Sequence, residues 1–155
     1  MIRFNFFLPE NARFRASLML ILIFIETQYL LYEEGEITDA GLSEITSLDE
    51  IQAFIITIRE AIKDSEAEFA MEASDILKFY AFTIIVNKLL VSELDEIVIT
   101  LFKKKLPPEY NLPDFNLTRK VIIICNSTVI EAIKEQSHLL DGFAAMDKWL
   151  TELEF

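Results

Sequence analysis

The chain has 155 residues and a formal net charge of −12, and 52% of its residues are hydrophobic. This apolar content excludes an intrinsically disordered protein, and the three glycines and four prolines argue against a many-turned all-β fold. The single cysteine, Cys125, excludes an intrachain disulfide and favours the reducing interior of a cell, so we expect a cytoplasmic protein.

The first predicted helix contains the most apolar stretch of the chain, which begins at Ala16 and ends at Tyr32. All residues at 18–25 are apolar, so a helix there must be buried on every side, in a protein core or in lipid. The Glu-Thr-Gln sequence at 26–28 makes the stretch a poor membrane span. We therefore expect a core helix in which Leu22 and Phe24 are almost fully buried.

The residues around this helix predict where it begins and ends. Residues 1–8 alternate at first between apolar and polar types, which fits a short strand or an apolar arm on the core. Pro9 suits the first turn of a helix, and Gly35 suits the position just after a helix end. The first helix is therefore predicted to run to about Glu34.

Two further helices are predicted from hydrophobic spacing. The first follows a capping box formed by Ser47 and Glu50, and its apolar residues recur at steps of three and four over 48–62. The second is predicted over 65–91. It contains another segment that is apolar nearly all round, at 79–86, which should lie beside the first helix.

The C-terminal half contains one clear break between predicted helices. Residues 106–117 include three of the four prolines and predict an exposed loop. Helices are predicted at 93–105, at 119–140 and at 143–154. Two alternatives remain open, because residues 96–102 also fit a strand and the β-branched run from Val121 to Cys125 fits a buried strand.

Together these elements predict an all-α fold, a single compact bundle of five to six helices around the central apolar helix. We expect one helical domain over residues 1–155. The alternative is an α+β fold in which the segment from Val121 to Cys125 is a buried strand.

The negative charge is concentrated in one part of the sequence. Residues 16–77 carry two basic and fourteen acidic side chains, whereas the remainder of the chain is neutral overall. Such a field repels nucleic acid and anionic lipid and attracts basic surfaces. The simpler interpretation, which we favour, is a solvated face that keeps an apolar protein soluble. The candidate partner-binding acidic surface consists of Glu33, Glu34, Glu36, Asp39, Glu44, Asp49 and Glu50.

No motif in the sequence predicts catalysis or a cofactor. Glu135 and His138 have the Glu-x-x-His spacing of di-iron helical bundles, but His138 is the only histidine, so one chain cannot complete that site. On one helix, Cys125 and His138 would lie about 20 Å apart on nearly opposite faces, which rules out a nucleophile and its base. The Pro-Pro-x-Tyr sequence at 107–110 is a weak match to a WW-domain ligand. We predict neither a metal nor a cofactor.

The sequence therefore predicts a protein that acts through a surface. We expect a non-catalytic intracellular protein-binding module of the acidic inhibitor type, comparable in kind to immunity, antitoxin or anti-defence proteins, whose partner is a protein with a basic or nucleic-acid-binding surface. One alternative is a structural subunit or homo-oligomer that assembles through apolar helix faces. Another is a membrane-associated protein anchored by residues 16–32.

Overall fold

The computed structural model describes residues 2–5, 12–37, 48–63, 68–71, 73–91, 96–110, 112, 114–138 and 140–152. This part of the chain forms a six-helix bundle, which confirms the predicted all-α fold, with one small antiparallel sheet added. In chain order the elements are β1 (Ile2–Asn5), α1 (Ala12–Glu33), α2 (Leu48–Lys63), β2 (Glu68–Met71), α3 (Ala73–Val91), α4 (Glu96–Lys105), α5 (Phe115–Ser137) and α6 (Phe143–Glu152).

Helix α1 is the centre of the bundle, as its composition predicts. It packs against α2, α4 and α5, and the side chains of Leu22 and Phe24 are 0% exposed. The ring of Phe24 meets that of Phe102 on α4 edge to face, with the centroids 5.7 Å apart. Because neighbouring helices cover α1 on several sides, apolar side chains on all of these sides are buried.

The end of α1 also follows the prediction. Gly35 adopts a φ of +74°, and its N–H donates to the carbonyl of Tyr32 at 3.0 Å. The N–H of Glu36 donates to the carbonyl of Leu31 at 2.9 Å. These two bonds form a Schellman motif with glycine at the left-handed position, so the last carbonyls of α1 are satisfied by the main chain.

Helix α5 is the second spine of the bundle, because it packs extensively against both α1 and α3. The apolar segment at 79–86 of α3 is buried as predicted, but α3 makes only a small contact with α1 and lies mainly on α5. Helix α2 joins this core through Ile51, Ile55 and Ile58, each 1% exposed. Phe54 of α2 packs against two phenylalanine rings of α3.

Both strand alternatives are wrong. The segment from Val121 to Cys125 lies inside α5, and residues 96–102 lie inside α4. Asp114 caps α5 by accepting the N–H of Leu117 at 2.7 Å, and Ile122 and Val129 are fully buried against the bundle. The cap and this burial outweigh the modest helix penalty of β-branched residues.

Two predicted boundaries are also wrong. The helix predicted over 65–91 begins only at Ala73, because Glu68–Met71 forms strand β2. That strand pairs with β1, with Ile2 opposite Met71 and Asn5 opposite Glu68. The loop predicted over 106–117 ends earlier than expected, because Asp114 caps α5 and that helix begins at Phe115. The last three residues of the predicted loop are therefore helical.

Candidate functional site

The described acidic residues of the candidate surface lie at two helix ends. Glu33, Glu34 and Glu36 are exposed at the C-terminal end of α1. Asp49 and Glu50 are exposed in the first turn of α2. Asp39 and Glu44, and the Ser47 part of the predicted capping box, lie outside the described residues.

The two groups differ in their effect on the helices that carry them. A helix has partial positive charge at its N-terminus and partial negative charge at its C-terminus. Asp49 and Glu50 therefore stabilise α2, and Glu50 also forms an ion pair with Lys78 of α3 at 3.6 Å. By contrast, the last turn of α1 has no basic residue, so Glu33 and its neighbours oppose the dipole of their own helix.

We use the term α1 acidic end for Glu33, Glu34 and Glu36. None of the three forms an ion pair with another residue of the described ranges. The Schellman turn already satisfies the main chain at this point, so the fold needs no carboxylate there. The α1 acidic end is thus the part of the acidic surface for which packing and local stability supply no explanation.

Glu26, which interrupts the apolar stretch of α1, has a structural role instead. Its carboxylate lies 3.3 Å from the guanidinium of Arg59 on α2 and 3.6 Å from the ammonium group of Lys105 on α4. All three side chains are less than one-third exposed. Glu26 therefore links the central helix to two neighbours.

The basic residues near the proline-rich segment lie at the C-terminal ends of helices. Lys103, Lys104 and Lys105 form the last turn of α4, where positive charge favours the helix dipole. Arg119 donates from Nε to the carbonyl of Leu90, 2.5 Å away, next to the C-terminal end of α3. Arg119 thus bonds to the end of α3, and Lys105 forms an ion pair with Glu26.

Cys125 and His138 do not form a reactive pair. Both belong to or adjoin α5, with Cys125 half-buried in the helix and His138 exposed as its C-cap. Burial raises the pKa of the Cys125 thiol, an effect that a hydrogen bond with Ser17 and the charge of Arg13 only partly offset. The ring Nδ1 of His138 lies 2.9 Å from the carbonyl oxygen of Glu135, within its own helix end. Among the described residues, no three His, Cys, Asp or Glu side chains are grouped as metal ligands.

The surface also has a groove that the sequence does not predict. An open groove of about 430 Å³ lies where the outer side of α5 meets the start of α1. The exposed fraction of Ile124, on one side of this groove, is 56%. The feature depends on which helices become neighbours, so no local sequence pattern predicts it. Its lining residues are Arg13, Ile123, Ile124, Ser127, Thr128 and Glu131.

Helix α1 also has the length and apolar composition of a membrane-spanning helix, and 67% of its most apolar window is buried within the bundle. Core helices and signal sequences share these properties, so they carry little weight for a membrane site. No protein-family model matches the chain, and no curated protein or solved structure is significantly similar to it.

Proposed function

We propose that the protein is a non-catalytic, cytoplasmic protein-binding module that uses its acidic surface to engage a partner with a basic face. The observation that carries this proposal is the α1 acidic end, where three exposed carboxylates are held at the helix end that disfavours them. Local features that oppose stability occur most often where a surface serves a function. Solubility alone would be served equally well by carboxylates at a helix N-terminus.

The chemistry of the surface defines the class of partner. Fixed carboxylates on a helix end attract Lys and Arg side chains, speed encounter with a basic protein and reject acidic ones. Nucleic-acid-binding proteins present such basic faces, because they neutralise phosphates with Lys and Arg. An acidic protein that covers that face would act as an inhibitor, in the manner of immunity, antitoxin or anti-defence proteins.

A charge-matched comparison tests this proposal. The test variant E33Q/E34Q/E36Q removes the α1 acidic end, and the control variant replaces the exposed Glu60, Glu109 and Glu152 with Gln, so both chains lose the same net charge. Each protein is immobilised and exposed to native lysate, and bound proteins are quantified by mass spectrometry at low and at high salt. We expect a basic protein that the wild type and the control retain, that the test variant loses, and that salt releases.

Equal retention of every bound protein by the test variant and the control would contradict this role of the α1 acidic end. Retention that is insensitive to salt would contradict it as well, because exposed ion pairs are screened over a distance of about 8 Å at physiological ionic strength.

A further inference from the structure

The outer face of α5 carries a continuous strip of exposed side chains. Its members recur at steps of three and four, so they lie in one line along the helix. Two of them are large apolar residues, Leu117 and Ile124, which are 42% and 56% exposed. We use the term α5 strip for the exposed residues Leu117, Lys120, Ile124, Ser127, Glu131, Lys134 and Glu135.

Charge is distributed unevenly along the α5 strip. The N-terminal half holds Lys120 between the two apolar residues, and the C-terminal half holds Glu131, Lys134 and Glu135, so the two halves have net charges of +1 and −1. If two such strips lay side by side in parallel, like charges would meet, whereas an antiparallel arrangement would bring each basic half against an acidic half. The strip is therefore complementary to itself.

We propose that the α5 strip is a docking surface for a second copy of this chain, in an antiparallel arrangement related by a two-fold axis. Lys120 and Glu131 are separated by about 16 Å along the helix. An axis midway between them places Lys120 of each copy opposite Glu131 of the other. The interface is then isologous, with the same contact made twice.

The groove beside α5 fits this arrangement. With the axis in that position, Ile124 of one copy lies opposite Ser127 of the other. Ser127 and Thr128 line the open groove of about 430 Å³, so an exposed isoleucine from each copy has an apolar-sided recess to enter. Each copy supplies both the projecting side chain and the groove, which is what a two-fold interface requires.

The net charge of −12 does not prevent this contact. Arg13, which lines the groove, and Glu33 of the α1 acidic end are separated by about 30 Å along α1. That distance is several times the screening length of about 8 Å at physiological ionic strength. The interface can therefore form while the acidic surface stays free, and the proposal does not depend on the partner proposed for that surface.

Charge reversal tests both the contact and its orientation. Sedimentation equilibrium at concentrations up to about 100 µM should show a dimer for the wild type. The single variants K120E and E131K each place like charges opposite one another twice, so each should weaken the dimer by at least about tenfold. A mixture of the two variants should restore association. In the mixed dimer, one contact pairs the native Lys120 with the native Glu131, and the other pairs the two substituted side chains, which also have opposite charges. The double variant K120E/E131K should likewise restore it in a single chain.

A matched pair of isoleucines serves as the control. Ile124 on α5 and Ile56 on α2 are 56% and 54% exposed, so I124E and I56E introduce the same charge at equally exposed sites. I124E should be monomeric and I56E dimeric, and circular dichroism verifies that both remain helical. A monomeric wild type, equal behaviour of the two isoleucine variants, or failure of the mixed charge reversals to associate would each overturn the proposal.

Discussion

The side chain of Asn126 on α5 donates a hydrogen bond from Nδ2 to the main-chain carbonyl of Thr83 on α3, at 2.8 Å. Both residues are 0% exposed. Arg119 is seven residues earlier on α5 and reaches Leu90, which is seven residues later on α3. From one bond to the other, the residue number falls by seven on α5 and rises by seven on α3. The two helices therefore run antiparallel, and both bonds fit the same register. A buried Asn that specifies register is a known device of coiled coils.

We predict opposite outcomes for two substitutions at Asn126. Its Oδ1 is buried and has no hydrogen-bond partner in the described structure, so Asn126→Leu removes one bond and one unpaired acceptor together. This change should alter the free energy of unfolding by less than about 1 kcal/mol. Asn126→Asp buries a carboxylate without a counter-charge and should cost about 3–5 kcal/mol. Urea unfolding of both variants measures the difference, and equal losses would contradict this account.

The ion pairs of Glu26 should contribute to stability. Glu26→Ala leaves Arg59 and Lys105 without their shared carboxylate in a largely buried setting, where Arg59 already has an unpartnered Nε. We expect a loss of about 1–3 kcal/mol, measured by urea unfolding at pH 7. The control is Glu109→Ala, a substitution at an exposed residue, which should change stability by less than about 0.5 kcal/mol. A loss no greater than that of the control would show that the three charges are held independently.

The two acidic groups should have effects of opposite sign on stability. Removal of negative charge at the C-terminal end of α1, in Glu33→Gln and Glu34→Gln, should stabilise the protein by about 0.3–1 kcal/mol per residue at low salt. Asp49→Asn removes a favourable charge from the first turn of α2 and should destabilise the protein by a similar amount. Thermal unfolding at two salt concentrations tests both, because each effect should shrink as salt is added. Stabilisation by all three changes would indicate general charge repulsion instead.

Stability should also fall at alkaline pH through Tyr80. Burial, and a hydrogen bond that the hydroxyl donates to Asp147 on α6, raise the pKa of Tyr80 above its usual value of 10.0. The unfolded chain therefore loses this proton before the folded protein does, and the stability present below pH 10 declines as pH rises further. The decline attributable to Tyr80 should approach about 1.4 kcal/mol per pH unit.

Comparison with Tyr80→Phe isolates this contribution. Urea unfolding from pH 9 to 11 should show a shallower decline for Tyr80→Phe than for the wild type, whereas Tyr110→Phe, at a site 40% exposed, should follow the wild type. Identical slopes for all three proteins would mean that Tyr80 ionises as readily in the folded protein as in the unfolded chain.

The elements that sequence predicts correctly are those with strong local signals. Continuous apolar residues predict the burial of α1, and steps of three and four predict the buried Ile51 and Ile55 of α2. The pairing of β1 with β2 joins residues far apart in the sequence, so neither strand has a local pattern that reveals its partner. Asn126 among β-branched residues fits a turn equally well, and only its contact with Thr83 explains it inside a helix.

The candidate surfaces likewise differ in whether a local sequence signal predicts them. The α1 acidic end can be predicted from charge together with a helix boundary, because Gly35 places the three carboxylates at the negative end of α1. The groove beside α5 requires Arg13 of one helix to meet Ile124 and Glu131 of another, and that neighbour relationship exists only after the bundle has packed.

The central position of α1 affects how the protein is made. Its main packing partner, α5, begins about 80 residues after α1 ends. At about 5–20 residues per second, the ribosome needs roughly 4–16 s to synthesise that interval. During this time α1, which holds the longest uninterrupted apolar run of the chain, has been synthesised without its main packing partner. We therefore expect the nascent chain to expose apolar surface of the kind that chaperones shield until translation has passed α5.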